Sequence, residues 1–384
     1  MVVTQPIIFS GRTAVLAVLS VVIVACSPVG SDDAITTSSS TTTTAAATAT
    51  SAPVTEPTVE DDLLSEQLAG ITVLEGRGAA MVALVEANGE VYYASKGSDS
   101  TGSSLSADAV FRVGSITKMF TAALVLTLVE EGAVDLDAPV ADYVTRVNIP
   151  EGVTVRDLLQ HTSGVPNYTD GPTDPLGSFD DPERVWSPEE IVALVSDRAP
   201  RFEPGARFSY SNTNYTILGV LVEEVTGMPF GEVLRARILD PLELDATYLA
   251  GFEEGQEPFG AYYATGAVTE PIDFPYTSIA TSAWAAGALV SSVEDLHTFL
   301  TALFDEHVIS AELLAAMTAN EEYGLGIFRF PGFGSLYGHS GGIPGYITLV
   351  LHAPDTGKTA FWVATTNTTI FDPPIDELVA HLDS

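Results

Sequence analysis

Apolar residues follow two rhythms along this chain, and the change between them divides it. Residues 80–86 and 90–96 flank Ala87-Asn88-Gly89, and Asn-Gly between apolar runs predicts a β-hairpin. Residues 119–129 form a long, largely apolar run rich in Ala and Leu, followed by Gly132, which predicts a buried helix with a glycine stop. From 136 to about 280 the pattern is one of short helices and loops. A short helix is expected over 154–161. Another starts after Ser187, with Pro188 at its first position and Glu190 completing a capping box. A third, apolar one covers 213–226 and ends at Gly227. Residues 251–275, rich in Gly, Pro and Tyr, read as a long loop. Ser292 caps a helix over 293–304. Strand-like runs follow at 324–330, 335–339, 346–352 and 359–365. Helices are expected at 63–74 and 374–382. Strands near both ends with helices between them predict an α+β fold. In it, an antiparallel sheet flanked by helices is built from both chain ends and carries a mostly helical inserted subdomain.

The first sixty residues follow other rules. Residues 13–25 are an apolar run after a single Arg12, too short to span a bilayer, and it ends in Ile23-Val24-Ala25-Cys26. This reads as a secretory signal over 1–25. The Ser/Thr/Ala-rich stretch 26–60 cannot bury a core and reads as a disordered tether. The remaining 61–384 form the folded domain. Its α/β part is expected at about 61–132 and 283–384, and its helical part at about 133–282. The hydrophobic fraction of 46% is ample for one large core. The formal charge of −36 repels nucleic acid, so no nucleic-acid partner is expected. Cys26 is the chain's single cysteine, which excludes an internal disulfide and a cysteine metal site.

Chemistry enters at Phe111-Arg112-Val113-Gly114-Ser115-Ile116-Thr117-Lys118. Residues i and i+3 share a helix face, so the Lys118 amine can reach the Ser115 hydroxyl. At a helix start, unpaired N–H groups and the positive end of the dipole favour developing negative charge. A desolvated lysine with a lowered pKa can activate a serine. Alone, so short a pattern as Ser-x-x-Lys more often describes an N-cap serine beside a snorkelling lysine. The chain has only three lysines, Lys96, Lys118 and Lys358, and Lys118 stands on an otherwise uncharged turn.

Two further stretches bear on that choice. Tyr210-Ser211-Asn212 puts a phenol and an amide at alternate positions, able to face one cleft. A phenol near an ammonium can lose its proton and act as base, and an amide can donate and accept at once. Tyr337-Gly338-His339-Ser340-Gly341-Gly342 ends a strand-like run. Its glycines let backbone donors approach a ligand closely, and His339 adds a donor that titrates near neutrality.

Taken in order, Ser115-Ile-Thr-Lys118, Tyr210-Ser-Asn212 and His339-Ser-Gly341 resemble the three motifs of the serine β-lactamase and penicillin-binding family. The variant is that of class C β-lactamases, R61-type D-alanyl-D-alanine carboxypeptidases and related esterases. Leu158-Leu159-Gln160-His161-Thr162-Ser163-Gly164 and Ala286-Gly287-Ala288-Leu289-Val290-Ser291-Ser292 add to the likeness, which runs from about residue 63 onward. The resemblance implies a β-lactamase/transpeptidase-like fold and a serine hydrolase working without metal or organic cofactor. It implies Ser115 as acylated nucleophile and Lys118 with Tyr210 as shared acid and base. Asn212, His339, Ser340 and Gly341 would bind substrate, and the N–H groups of Ser115 and Gly342 would form the oxyanion hole. Expected substrates are a D-alanyl peptide, a β-lactam or an ester. His-Ser-Gly in place of Lys-Thr-Gly weakens the grip on a substrate carboxylate. The Ile-Val-Ala-Cys26 ending similarly resembles a lipobox, which implies lipidation of Cys26 and an extracytoplasmic protein anchored to the cell membrane.

Other readings are weaker. Gly338-His339-Ser340-Gly341-Gly342 also fits the Gly-x-Ser-x-Gly nucleophile elbow, with Ser340 attacking and Asp376 and His381 completing a triad. An elbow must lead from a strand into a helix, whereas a second strand-like run follows here. Gly357-Lys358-Thr359 imitates the end of a P-loop, but His352 occupies the place of the first glycine. The six histidines show no metal-ligand spacing, and His161 is expected to brace a loop. A reading of another class is a non-catalytic envelope binding or sensor protein on the same fold.

Overall fold

The structure is a computed structural model and describes residues 81–87, 90–96, 109–171, 181–265, 268–272, 275–330 and 335–365. The signal, tether and Cys26 readings lie outside these residues, as do the helices expected at 63–74 and 374–382.

A six-stranded antiparallel sheet joins the two ends of the domain. Its strands are β1 (Met81–Ala87), β2 (Glu90–Lys96), β8 (Phe328–Arg329), β9 (Tyr337–Ile343), β10 (Tyr346–Ala353) and β11 (Lys358–Ala364). The spatial order is β2-β1-β11-β10-β9-β8, so β1 pairs with β11, with Leu84 opposite Phe361. β1 and β2 pair antiparallel along their whole length, as the expected hairpin requires. A second sheet, β3 (Val110–Arg112), β7 (Leu289–Ser292) and β4 (Tyr248–Leu249), has the order β3-β7-β4.

Helix α1 (Thr117–Glu130) is buried nearly all round, as its pattern requires, and Phe120 stacks on Phe299 of α7 (Val293–Phe304) with centroids 3.7 Å apart. Between α1 and β7 run α2 (Val155–Leu159), α3 (Pro188–Ala193), α4 (Asn212–Thr226), α5 (Phe230–Leu234) and α6 (Thr277–Gly287). The Thr154 and Ser187 capping boxes form, and Gly227 closes α4 in the left-handed conformation.

Several elements differ from expectation. β9 does not stop at His339 but continues to Ile343, because its backbone goes on pairing with β10 through Ser340, Gly341 and Gly342. β8 holds two residues of the seven expected. The loop expected at 251–275 contains a hairpin, β5 (Tyr262–Thr265) with β6 (Val268–Pro271). Helices α6 and α8 (Ala311–Thr318) are additional. Helix α6 is broken inside by Trp284 at φ 37°, ψ −125°, a conformation no propensity scale anticipates.

Candidate active site

Ser115 owes its position to two glycines. β3 leads through Val113 into a single 3₁₀ turn, Gly114–Ile116, and then into α1. Gly114 has φ +55°, and a Cβ there would lie 2.9 Å from the Gly342 nitrogen. At Gly341 a Cβ would lie 2.0 Å from the Val113 carbonyl oxygen. The Thr348 hydroxyl donates to that same oxygen at 2.9 Å. β9 and β10 therefore press directly on the backbone ahead of the serine. Ser115 itself stays half-buried, while Lys118, one turn on, is wholly buried.

The Lys118 amine has three partners. Nζ donates to Ala286 O at 2.6 Å and to Asn212 Oδ1 at 2.8 Å, and it lies 3.0 Å from Ser115 Oγ. Two of these are carbonyl oxygens, which only accept. A neutral amine keeps its two N–H groups on them and turns its lone pair to Ser115. Burial drives the Lys118 pKa well below the ordinary lysine value, which brings that neutral form within reach.

Tyr210 completes the group. Its ring centroid is 5.0 Å from Lys118 Nζ, and its hydroxyl shares a hydrogen bond with the Ser115 side chain. Burial raises its pKa, and the Ser115 bond only partly opposes this. The phenolate base expected from sequence is thus disfavoured by desolvation. Neutral amine with phenol and ammonium with phenolate hold the same number of protons, so the two groups titrate as a pair.

His161 clamps this tyrosine. The Ser209 N–H donates to the His161 carbonyl oxygen at 2.8 Å, and the Ser211 N–H donates to His161 Nδ1 at 3.2 Å. The residues on either side of Tyr210 are thus tied to one histidine, whose ring lies 4.2 Å from the Tyr210 ring. A left-handed backbone at φ 58° puts both His161 groups to this use. Asn212 is set in turn by Asn167, whose Oδ1 accepts the Asn212 N–H at 3.0 Å.

The third motif departs from expectation at its histidine. His339 is buried rather than presented to the cleft. Its Nδ1–H donates to Ser340 O at 2.5 Å, leaving Nε2 to accept from the Tyr323 hydroxyl at 3.2 Å. Burial, with the Lys118 charge nearby, pushes its pKa to about 3, so it is neutral rather than titrating near neutrality. Ser340 is half-buried and Gly342 exposed. β9 turns through Pro344-Gly345 into β10 and not into a helix, which removes the nucleophile-elbow reading of Ser340.

A small pocket opens on Ser115. Asn212, Tyr168, Ala283, Ala286, Gly287, Gly342 and Ile343 form the rest of its lining. Ser115 and Gly342, the pair expected to stabilise an oxyanion, thus border one cavity. Tyr168, Asn167, Tyr323 and the Ala286 carbonyl are what reading the sequence misses. Tyr168 donates through its hydroxyl to Ser282 O at 2.9 Å, which ties the pocket wall to α6. No sequence signal marks a main-chain carbonyl such as Ala286 O.

The Beta-lactamase family model matches residues 61–383. A D-stereospecific amidohydrolase from Streptomyces sp. superposes with a TM-score of 0.70 at 32% identity, covering 80% of this chain and 95% of that one. Esterase EstB of Burkholderia gladioli is 27% identical over 327 residues, 74% of this chain and 79% of that protein. A penicillin-binding protein of Bacillus subtilis is 27% identical over 286 residues, 68% of this chain. The chain spans 61% of that relative's length.

Proposed function

The chain belongs to the Beta-lactamase family, and from that premise we propose that it is a serine hydrolase acting through an acyl-enzyme on Ser115. The observation that carries this reading is the Lys118 amine, held by Ala286 O and Asn212 Oδ1 with its remaining direction on Ser115 Oγ. Ser115 Oγ attacks the acyl carbon while its proton passes to Lys118. The leaving amine or alcohol takes up a proton from the Lys118–Tyr210 pair. Water then attacks the acyl-serine as the same pair accepts its proton; the acyl C–O bond breaks, the pair returns that proton to Ser115 Oγ, and the carboxylic acid departs. The N–H groups of Ser115 and Gly342 carry the oxyanion, a contribution of about 3 kcal/mol per donor. The reaction is amide hydrolysis of the D-alanyl carboxypeptidase or β-lactamase kind, with ester hydrolysis as the alternative that the EstB likeness supports.

Intact mass after incubation with benzylpenicillin and, separately, with 4-nitrophenyl acetate tests the reading. An adduct on Ser115, or hydrolysis that Ser115→Ala abolishes, is expected with at least one reagent. Acylation that survives Ser115→Ala would refute the assignment.

We propose further that the protein is extracytoplasmic and lipid-anchored at Cys26, on the strength of the apolar run 13–25 and its Ile-Val-Ala-Cys ending. Cys26→Ser should move the protein from the membrane fraction to the soluble one. Unchanged membrane attachment would rule the anchor out.

A further inference from the structure

The charge around Ser115 points beyond the reaction to the kind of substrate it takes. Apart from Ser115, Tyr168 and Asn212, the pocket is lined by Ala283, Ala286, Gly287, Gly342 and Ile343. None of these carries a positive charge. Lys118 lies behind Ser115 and is occupied by its three partners. His339, at the motif position from which a cation would reach the cleft, is buried with both ring nitrogens engaged. Burial keeps it neutral as well.

The other described residues supply no replacement. Among the described residues, seven arginines are already in ion pairs, Arg201 with Asp170 among them. Arg112 stacks on the Tyr276 ring at 3.9 Å and Arg207 on the Phe202 ring at 4.2 Å. Arg198 reaches the Asn167 carbonyl at 3.5 Å. Lys358 is buried on β11. Lys96 belongs to β2, four strands from β9 and so about 19 Å away across the sheet. From residue 97 onward, the sequence outside the described residues contains no Lys or Arg. The formal charge of −36 adds a repulsive field for any anion approaching the cleft.

A carboxylate seated in this pocket would lose its water without gaining a counter-charge, and that loss is costly. We propose that the site selects substrates that are uncharged at the group seated beside Ser115, esters and amides, over the same molecules bearing a carboxylate there. This rests on the acyl-enzyme reading and, within it, favours the ester or neutral-amide alternative over the carboxypeptidase or β-lactamase kind. The chemistry balances with water as sole co-reactant: the acyl C–O or C–N bond breaks, water supplies OH to the acyl carbon and H to the leaving group. The acid so formed is an anion at neutral pH, and the same pocket favours its departure.

Two matched pairs test the proposal on the full chain. One is N-acetyl-D-alanyl-D-alanine against its C-terminal amide, read as release of D-alanine or D-alaninamide. The other is 4-carboxyphenyl acetate against 4-carbamoylphenyl acetate. In whichever pair is turned over, kcat/KM for the neutral member should be at least about tenfold higher at low salt, and 1 M salt should narrow the gap. Equal rates, or a faster anionic member, would overturn the proposal while leaving the acyl-enzyme intact. Ser115→Ala, run alongside, separates the two failures. If hydrolysis survives that substitution, the acyl-enzyme reading itself falls and this proposal with it; if neither pair is hydrolysed while benzylpenicillin, itself a carboxylate, still acylates Ser115, the proposal alone falls.

Discussion

Lys118 Nζ lies 2.6 Å from the carbonyl oxygen of Ala286, nearer than the 3.0 Å that separates it from Ser115 Oγ. The amine is held from behind. Ala286 O is on offer because α6 breaks at Trp284, whose φ of 37° and ψ of −125° re-aim the chain that follows. Such a conformation costs on the order of 1–3 kcal/mol and persists only where packing enforces it. The Trp284 ring supplies that packing, 5.3 Å from the Phe230 ring and so close to α4 that a Cβ at Gly219 would lie 2.7 Å from it.

An amine oriented this way should act as the base, and its titration should govern acylation. The neutral form grows as pH rises through the lowered Lys118 pKa, so acylation should rise along a single acid limb that ends well below 10.5. Lys118→Arg cannot deprotonate and should lose about three orders of magnitude in kcat/KM. Tyr210→Phe should cost less. The double variant should fall far short of the summed losses, because the two groups act as a unit. Stopped-flow acylation across pH checks all three; an acid limb retained in Lys118→Arg would assign the base elsewhere.

The same burial has a price in stability. With the folded pKa depressed, the unfolded chain binds more protons than the folded one between that pKa and 10.5, so stability must rise with pH across this window. Lys118→Met removes the penalty. Its Tm should exceed that of the wild type at neutral pH, and the difference should shrink toward pH 10.5. Calorimetry at a series of pH values measures it, and a pH-independent difference would mean that Lys118 is not desolvated.

His161 should matter through Tyr210 and not through its own proton. His161→Ala leaves the Ser211 N–H without its buried acceptor, a loss of about 1–3 kcal/mol, and puts alanine at φ 58°. Asparagine tolerates that backbone and can offer Oδ1 near the place of Nδ1. His161→Asn should therefore recover most of the stability lost in His161→Ala and a large part of kcat, with the acid limb unmoved. If Asn and Ala variants are equally impaired, the clamp is not what His161 provides.

Sequence carries the catalytic group further than it carries the fold around it. Ser115 with Lys118 and Tyr210 with Asn212 are local spacings, and local spacing decides which side chains share a face. The neutrality of His339 is not legible in it, because burial by Tyr323 and Phe328 is a tertiary fact; their ring centroids lie 5.7 and 5.0 Å from its own. The kink at Trp284 is equally hidden, since the pocket that holds its ring is built by Gly219 and Phe230 from other helices. In the sequence, Gly341 reads as a place where a ligand can approach. What approaches it in the structure is the protein's own backbone at Val113.

That difference gives a test between adjacent glycines. At Gly341 a Cβ would lie 2.0 Å from Val113 O and 2.3 Å from Thr348 Oγ1, and the Val113 carbonyl cannot yield without moving the backbone ahead of Ser115. At Gly342 a Cβ would meet nothing within 4 Å, although the residue lines the pocket. Gly341→Ala should lower stability by about 1–3 kcal/mol and depress acylation with every substrate, since it shifts the nucleophile itself. Gly342→Ala should unfold as the wild type does, keep its backbone N–H, and change KM in step with substrate size. Denaturant unfolding and acylation kinetics on both variants separate the two effects. Wild-type stability in Gly341→Ala would show that the close contact between β9 and the Ser115 turn does not exist in solution.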